Sequence, residues 1–328
     1  MKVAFIGAGA RQDKFAPKDI PAAELVYFGI APSIEELKEK AGDAEYAVVD
    51  AIAPFTAEQI AAMPNLKLIH SEGVGYAAID IDAAAEKGIY VCNNKGVNSV
   101  SVAEHNIMLI MAITKDVLRA NKAVMAGRQI ETKSAMIQAG IHELSEYKIG
   151  LIGFGAIGKE MARMLQPFEC EIFYNDPFRL PEEEEKKHNV TFLERDELLA
   201  TCDIISFQVP VIDSTRGMAN KEFLAKMKDG SYLINSSRGE VMINEDVIEA
   251  LKSGKLAGAA FDTVAPEPVL KDNPFLNLPE EIADKIIITP HIAGVTVTMF
   301  RKAYRTIWNN ITAVSEGKEP INWVNKKN

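Results

Sequence analysis

The sequence Gly153-Phe154-Gly155-Ala156-Ile157-Gly158 lies in the middle of this chain and is the strongest indication of its fold class. The apolar residues 149–152 lead into it as a buried parallel strand would, and apolar residues at helical spacing follow it. A second short strand, 171–175, then ends at Asp176, eighteen residues after the last glycine. A strand, a glycine-rich turn, a helix and an acid in this order indicate dinucleotide binding, with the phosphates at the helix N-terminus.

Each glycine of this motif has an expected role. Gly153 permits the tight turn, Gly155 lets the backbone approach a pyrophosphate, and Gly158 lets the helix and the strand pack closely. The alternative is a glycine-rich turn that holds no ligand. About 150 residues precede the motif, which is enough for a domain of their own.

Composition bounds the class of protein. The chain has 328 residues, 48% of them hydrophobic and 25% charged, which is ordinary for globular proteins, and the length suggests two domains. No apolar stretch approaches the ~20 residues that a membrane helix needs, and the first residues lack the pattern of a secretory signal. The net charge of −10 argues against nucleic acid and anionic membranes as partners.

Cysteine usage and one charged run complete the compositional picture. Cys92, Cys170 and Cys202 lie far apart among apolar neighbours, which predicts buried free thiols and a cytoplasmic location. The acidic and basic run 182–187 is interpreted as a solvated surface segment without a function.

Strand and helix signals alternate along the chain, which predicts parallel sheets with helices on both faces. The predicted strands are 3–6, 25–28, 46–49, 66–70, 149–152, 171–175, 203–209, 231–235, 258–264 and 285–289. The predicted helices are 33–41, 56–63, 99–127, one starting near 157, 220–228, 244–253 and 298–316. The helix predicted over 99–127 is apolar nearly all round at 107–111, which favours burial between domains or in a homodimer.

Three residues at strand ends in the second half are candidates for chemistry: Arg238, Glu267 and His291. Ligands of open parallel sheets bind outside the carboxyl ends of the strands, so these loops should share one rim with the glycine motif. An arginine grips a carboxylate with two hydrogen bonds, and a histidine moves protons near neutral pH. Taken singly, each has a structural alternative: a loop salt bridge, a solvent-exposed carboxylate, and a cap near a helix. His105 is interpreted as a packed, hydrogen-bonded core histidine.

Together with further motifs, these residues resemble the D-isomer-specific 2-hydroxyacid dehydrogenases over most of the chain. The resemblance rests on motifs in a fixed order, which are Gly73-Val74-Gly75-Tyr76, residues 98–105, Gly153–Gly158 with Asp176, Val209-Pro210, Thr215-Arg216-Gly217, residues 235–239, Asp262 with Glu267-Pro268, and Pro290-His291-Ile292-Ala293-Gly294. It implies an α/β fold of two doubly wound parallel-sheet domains. Residues 1–98 and 291–328 would form a flavodoxin-like substrate domain, and 99–290 an inserted Rossmann-type NAD-binding domain.

The same resemblance implies roles for individual residues. Arg238 would bind the substrate carboxylate, His291 would donate the proton on reduction, and Glu267 would hold His291. The backbone of Val74 and Gly75 would hold the carboxylate from the other side. The implied NAD contacts are Gly153, Gly155, Ala156, Ile157 and Gly158 at the pyrophosphate, Asp176 at the ribose, Val209, Pro210 and Thr215 on the adenosine side, Asp262 at the carboxamide, and Ser236, Ser237 and Arg238. A homodimer is also implied.

Charge predicts features of the cofactor and of the substrate. Asp176 should select NAD over NADP because its carboxylate repels a 2′-phosphate. Arg179 is the one feature that would weaken this preference for NAD. Phosphoglycerate-specific relatives tend to place arginines near Asp50 and Ser71, where this chain has an acid and a small hydroxyl next to Glu72. We therefore expect a small, unphosphorylated 2-oxo acid, unless Arg301 or Arg305 of the last helix supplies a cation.

Two other functions remain possible from the sequence. One is a nucleotide-sensing binding protein, against which the intact Arg238, Glu267 and His291 argue. The other is a dehydrogenase of formate or phosphite on the same scaffold. Formate enzymes of this type pair their histidine with an amide, whereas position 267 holds an acid.

Overall fold

A five-stranded parallel sheet forms the centre of the first part of the chain. The computed structural model describes residues 1–326, and the chain divides into a first unit, Met1–Asn98 with the residues from Val295 on, and a second unit, Ser99–Gly294. The elements of residues 1–98 are β1 (Lys2–Ile6), α1 (Gly9–Phe15), β2 (Glu24–Phe28), α2 (Ile34–Ala41), β3 (Tyr46–Val49), α3 (Ala57–Ala61), β4 (Leu68–Ser71), α4 (Ile81–Glu86) and β5 (Tyr90–Cys92). The strand order β2-β1-β3-β4-β5 is flavodoxin-like, with every pair parallel.

Local sequence explains where these helices begin. The Ser33 hydroxyl accepts a hydrogen bond from the Glu36 amide at 3.1 Å, and Thr56 forms a reciprocal capping box with Gln59. The central strands β3 and β4 are buried on both faces, as parallel strands covered by helices should be: all four residues of each are buried. The sequence did not predict β5, which is only three residues long.

A seven-stranded parallel sheet forms the centre of the second unit. Its elements are α5 (Ser99–Thr114), α6 (Val117–Met125), α7 (Gln129–Ala139), β6 (Lys148–Ile152), α8 (Ala156–Leu165), β7 (Glu171–Asn175), α9 (Glu182–His188), β8 (Thr191–Phe192), α10 (Arg195–Thr201), β9 (Ile204–Phe207), α11 (Lys221–Lys226), β10 (Ser231–Asn235), α12 (Asn244–Ser253), β11 (Leu256–Phe261), α13 (Glu280–Ala283) and β12 (Ile286–Ile288). The order β12-β11-β10-β9-β6-β7-β8 reverses direction at β6, the strand that leads into the glycine motif. Such a reversal is the expected ligand position in a Rossmann fold.

The last helix, α14 (Val297–Ser315), returns to the first unit. The predicted apolar face is confirmed for Ala303, Ile307 and Ile311, which are fully buried, while Phe300 is partly buried. This face packs on the side of the sheet that carries Val3, Phe5 and Val48. No helix in residues 1–326 is long and apolar enough to cross a membrane.

The single long helix predicted over 99–127 is wrong. The structure has two helices, α5 and α6, because Asp116 between them adopts a left-handed conformation with φ of 53°. Its carboxylate binds Arg119, one turn into α6. The α7 helix that follows was not predicted, since it is exposed along its length and lacks an apolar face.

The structure also differs from two other predictions. The expected boundary at 290/291 lies four residues before the boundary between the units, because the loop after β12 is hydrogen-bonded to Asp262 of the second unit. The charged run 182–187 is not a purely solvated segment. It forms most of α9, and Glu185 within it is buried because its carboxylate binds Tyr174 and Arg179.

Candidate active site

The glycine turn has the shape that a pyrophosphate requires. Gly153 has a φ of +95°, and a Cβ atom there would lie 2.5 Å from the Gln208 carbonyl oxygen, so no other residue fits. A Cβ atom on Gly155 would have no neighbour within 4 Å, which means that this position faces open space where α8 begins. The exposed residue Ala156 starts the helix and presents its first amides to that space. The turn and the helix N-terminus therefore fit a bound phosphate.

Asp176 lies beside this turn. Its Oδ2 accepts a hydrogen bond from the Phe154 amide at 2.8 Å, and its Oδ1 accepts one from the Phe178 amide at 2.8 Å. The carboxylate is thus held at the end of β7, next to the glycines, where it would bind the hydroxyl groups of an adenosine ribose. The glycine turn, the helix N-terminus and Asp176 are the residues that would hold NAD.

Asn235, at the end of β10, shapes the turn that carries Arg238. The Asn235 amide donates to the Arg238 carbonyl oxygen at 2.9 Å, and its Oδ1 accepts from the amide and the hydroxyl of Ser237. Gly239 then allows a close approach, since a Cβ atom there would lie 2.1 Å from the Ala265 nitrogen. This approach brings the exposed Arg238 to the loop that carries Glu267.

His291 and Glu267, two of the candidates at the strand ends, are in contact. The His291 Nδ1 lies 3.0 Å from both carboxylate oxygens of Glu267. Both side chains are about half exposed. Because Glu267 takes Nδ1, Nε2 is the nitrogen available for proton transfer. His291 has a φ of 55°, an uncommon conformation for a side-chain-bearing residue, so its loop must be held firmly.

Asp262 holds that loop. Its buried carboxylate accepts hydrogen bonds from the amides of Ile292 at 2.9 Å and Ala293 at 2.7 Å, and from the Thr289 hydroxyl at 2.5 Å. Its carbonyl oxygen accepts from the His291 amide at 2.9 Å. Both carboxylate oxygens are therefore engaged within the protein. The Asp262 carboxylate is a fixed support of the His291 loop, and its contact with a carboxamide stays a prediction.

His105 extends this support. Its Nε2 lies 2.9 Å from the Thr289 hydroxyl oxygen and 3.5 Å from Asp262 Oδ1. Burial lowers the pKa of His105, against the opposing effect of the Asp262 charge. Because the Thr289 hydroxyl donates to Asp262, it accepts from a neutral His105. The sequence placed His105 in the core and did not single out Thr289, although Asp262 and Thr289 follow neighbouring strands.

The remaining predicted cofactor contacts differ in accessibility. Pro210 is exposed, and Val209, Ile157 and Ser237 are half-buried. Thr215 is buried, and its hydroxyl donates to the Pro210 carbonyl oxygen at 2.6 Å and accepts from the Ile212 amide at 2.9 Å. Ser236 is buried against Asn106. Thr215 and Ser236 therefore shape their turns from inside.

The glycine loop of the first unit is held through its carbonyl groups. The Gly73 oxygen accepts from the Asn94 amide at 2.9 Å, the Val74 oxygen from the Asn93 side chain at 2.7 Å, and the Gly75 oxygen from the Ser71 hydroxyl at 2.5 Å. Within residues 1–326, the amides of Val74 and Gly75 have no hydrogen-bond acceptor. The loop therefore offers two donors of the kind that bind a carboxylate.

The acids that flank this loop are not free charges, contrary to the expectation from sequence. Arg11 binds both Asp50 and Glu72: its Nε donates to Glu72 Oε1 at 2.7 Å, and its Nη2 contacts the carboxylates of both acids. The Tyr304 hydroxyl also binds Glu72, and burial raises the pKa of Tyr304. Arg305, which the sequence left as a second cation, pairs with Asp19 at 2.8 Å. The single positive charge of Arg11 thus offsets one of the two negative charges of Asp50 and Glu72, and Arg11 is itself paired with both acids.

Comparison with known proteins identifies relatives of this arrangement. The family model for the NAD-binding domain of D-isomer-specific 2-hydroxyacid dehydrogenases matches residues 107–293. The chain is 36% identical over 296 residues to a glyoxylate reductase of Thermofilum pendens, covering 90% of this chain and 86% of that protein. It is 36% identical over 246 residues to an Arabidopsis thaliana formate dehydrogenase, covering 75% of this chain and 62% of that protein. A D-lactate dehydrogenase from Aquifex aeolicus, solved with NAD and lactic acid, superposes with a TM-score of 0.79 at 28% identity, covering 99% of this chain and all of that one.

Proposed function

The chain belongs to the D-isomer-specific 2-hydroxyacid dehydrogenase family and is an NAD-dependent oxidoreductase of 2-oxo and 2-hydroxy acids, and within that class we propose that it reduces a small, unphosphorylated 2-oxo acid. The observation that carries the proposal is the contact of Glu267 with His291 Nδ1 at 3.0 Å, on the loop that Asp262 fixes. A histidine held in this way keeps Nε2 directed outward for one defined proton transfer.

The proposed mechanism assigns one task to each side chain. NADH, when bound, supplies the hydride that the substrate C2 receives. His291 gives its Nε2 proton to the carbonyl oxygen on reduction and takes it back on oxidation, while Glu267 stabilises the protonated ring. Arg238 binds the substrate carboxylate through its guanidinium, for which its exposed position is suited. The amides of Val74 and Gly75 are proposed as donors to a substrate carboxylate.

Charge in the first unit supports the unphosphorylated substrate. Asp50 and Glu72 together carry two negative charges, and Arg11 offsets only one of them. Burial lowers and both acids raise the pKa of Arg11, with a net rise, so its charge stays committed to them. A phosphate near this cluster would meet a net negative charge, and the Arg11 guanidinium is already paired with both acids.

A panel of substrates tests the proposal. NADH oxidation is followed with glyoxylate, pyruvate, hydroxypyruvate, branched 2-oxo acids and 3-phosphohydroxypyruvate, and NAD reduction is followed with formate. We expect turnover of at least one unphosphorylated 2-oxo acid, with a kcat/KM at least about tenfold above that of the phosphorylated acid, about 1.4 kcal/mol. A tenfold preference for 3-phosphohydroxypyruvate would contradict the charge argument. Turnover of formate alone would favour the formate dehydrogenase alternative.

We further propose that the chain forms a homodimer through α5, α6 and α7. These helices and the loop after them expose large apolar side chains, among them Met125 at 81%, Ile137 at 71% and Ile130 at 69%. An apolar surface of this kind is rare on a monomer. Light scattering should give twice the 36.0 kDa of one chain, and a mass near 36.0 kDa would refute the dimer.

For the location we propose the cytoplasm. All three cysteines are buried free thiols, which a reducing compartment preserves. Cell fractionation followed by detection of the protein tests this, and recovery in a secreted or membrane fraction would contradict it.

A further inference from the structure

The segment after Asp176 contains a closed set of contacts that the reaction does not use. Arg179 donates from Nε to Glu185 Oε1 at 3.0 Å and from Nη2 to Oε2 at 3.4 Å. The guanidinium also lies over the Phe192 ring, 4.9 Å from its centroid. Two parallel hydrogen bonds and a stacked ring fix a guanidinium in position as well as in charge.

Glu185 is in turn held by the buried Tyr174. Its Oε1 accepts from the Tyr174 hydroxyl at 2.8 Å, and that hydroxyl accepts from the Leu180 amide at 2.9 Å. Tyr174 is fully buried, with its ring 4.5 Å from that of Phe154 in the glycine motif. Glu185 itself is only 8% exposed. The carboxylate that holds Arg179 is therefore part of the rigid core of the cofactor-binding unit.

These contacts hold the Arg179 guanidinium away from the position where it would affect the choice between NAD and NADP. Arg179 follows Asp176 by three residues, just after the strand end where the ribose is read. A 2′-phosphate on that ribose needs a nearby arginine to offset its charge. The guanidinium of Arg179 is instead bound to Glu185, whereas the Asp176 carboxylate stays at the strand end beside the glycine turn.

We propose that Glu185 is a specificity-determining residue for the cofactor: by binding Arg179 it withholds a cation that would accept a 2′-phosphate, and so adds to the rejection of NADP by Asp176. The proposal rests on NAD binding at the glycine turn. It assigns a function to a residue in a charged run that otherwise resembles solvated surface.

Replacing Glu185 by glutamine tests it. Glu185→Gln keeps the size and a hydrogen-bonding oxygen but loses the charge, so that Arg179 is released. Calorimetry with NAD and NADP gives the two Kd values, and kcat/KM with NADH and NADPH gives the same ratio in turnover. We expect the NADP to NAD ratio of Glu185→Gln to rise about tenfold or more, the effect of one new charge-assisted contact.

Two variants isolate the cause. Glu184→Gln, on the same helix, removes an exposed charge paired with Lys187 and should leave the ratio unchanged. Adding Arg179→Ala to Glu185→Gln should abolish the gain, because the gain requires the released guanidinium. An unchanged ratio in Glu185→Gln with NAD binding and melting temperature retained, or a gain that survives Arg179→Ala, would overturn the proposal.

A single Arg179→Ala variant provides a test that does not depend on the stability of Glu185→Gln, because Arg179 is 61% exposed. If Glu185 already withholds Arg179, this variant binds NADP as weakly as the unmodified protein. A tenfold weakening of NADP binding would show that Arg179 reaches the phosphate in the native protein and would also overturn the proposal. Absence of NAD binding in the unmodified protein is a different result, and it would contradict the proposed function instead.

Discussion

Replacing Thr289 by valine should loosen the loop that carries His291. The side chains have nearly the same shape, so the change removes the hydroxyl and little else. That hydroxyl donates to the buried Asp262 carboxylate at 2.5 Å and lies 2.9 Å from His105 Nε2. Without it, Asp262 retains the amides of Ile292 and Ala293, and His105 loses its acceptor.

The expected magnitude follows from these two hydrogen bonds. A bond to a charged group contributes about 1.5–3 kcal/mol and a neutral one about 0.5–1.5 kcal/mol, so the variant loses about 2–4.5 kcal/mol. If about 2 kcal/mol of this falls on local opening of the loop, the amides of Ile292 and Ala293 should exchange about thirtyfold faster. A displacement of His291 by about 1 Å costs up to about a hundredfold in rate. We therefore expect kcat to fall by at least about tenfold.

Hydrogen exchange of the peptide over 286–296, together with kcat and the Kd of NADH, measures these effects. Thr289→Ser is the matched control because it keeps the hydroxyl, and it should retain exchange and kcat close to those of the native protein. The Kd of NADH should stay within about twofold in both variants, since we place Asp262 in support of the loop. Native exchange and native kcat in Thr289→Val would refute this account of how His291 is positioned.

Three further predictions concern the substrate, the stability and the cofactor. Arg238→Lys should lower kcat/KM by at least about tenfold, because a lysine cannot reproduce the two parallel hydrogen bonds that an arginine donates to a carboxylate. A change below twofold in steady-state kinetics would contradict this. Burial lowers the pKa of His70 to about 4 from its ordinary 6.5. Between these values only the unfolded chain binds the proton, so lowering the pH from 7 to 4 should cost the native protein about 3 kcal/mol that His70→Gln does not lose, as unfolding at both pH values would measure. Asp176→Ala should narrow the preference for NAD over NADP, and an unchanged kcat/KM ratio would contradict the role of this carboxylate.

Much of the fold could be predicted because its signals are local. The strands 171–175 and 231–235 and the helix 244–253 have the predicted bounds, since buried parallel strands and capped amphipathic helices show their pattern within one window of sequence. The break within the helix predicted over 99–127 could not be located, because it depends on the left-handed conformation of one residue, Asp116. Aspartate is also common in the first turn of helices, so its presence does not indicate a break.

The side-chain contacts at the sites were less predictable because they join residues that lie far apart in the sequence. Arg11 meets Asp50 and Glu72 across 39 and 61 residues, and no spacing in the sequence indicates that pairing. The support of His291 by Asp262 likewise depends on the adjacency of β11 and β12. Arg238, Glu267 and His291 could be singled out as candidates from the sequence, because each follows a recognisable strand and the ends of parallel strands share one edge.

The role of His291 as the proton donor is tested by the kcat of His291→Ala with the best 2-oxo acid, measured together with the Kd of this variant for NADH. General acid–base catalysis contributes about 10²–10⁴ in rate. We expect a loss of kcat in that range or beyond, with the Kd for NADH nearly unchanged. A kcat close to that of the native protein would contradict it and would place the acid elsewhere.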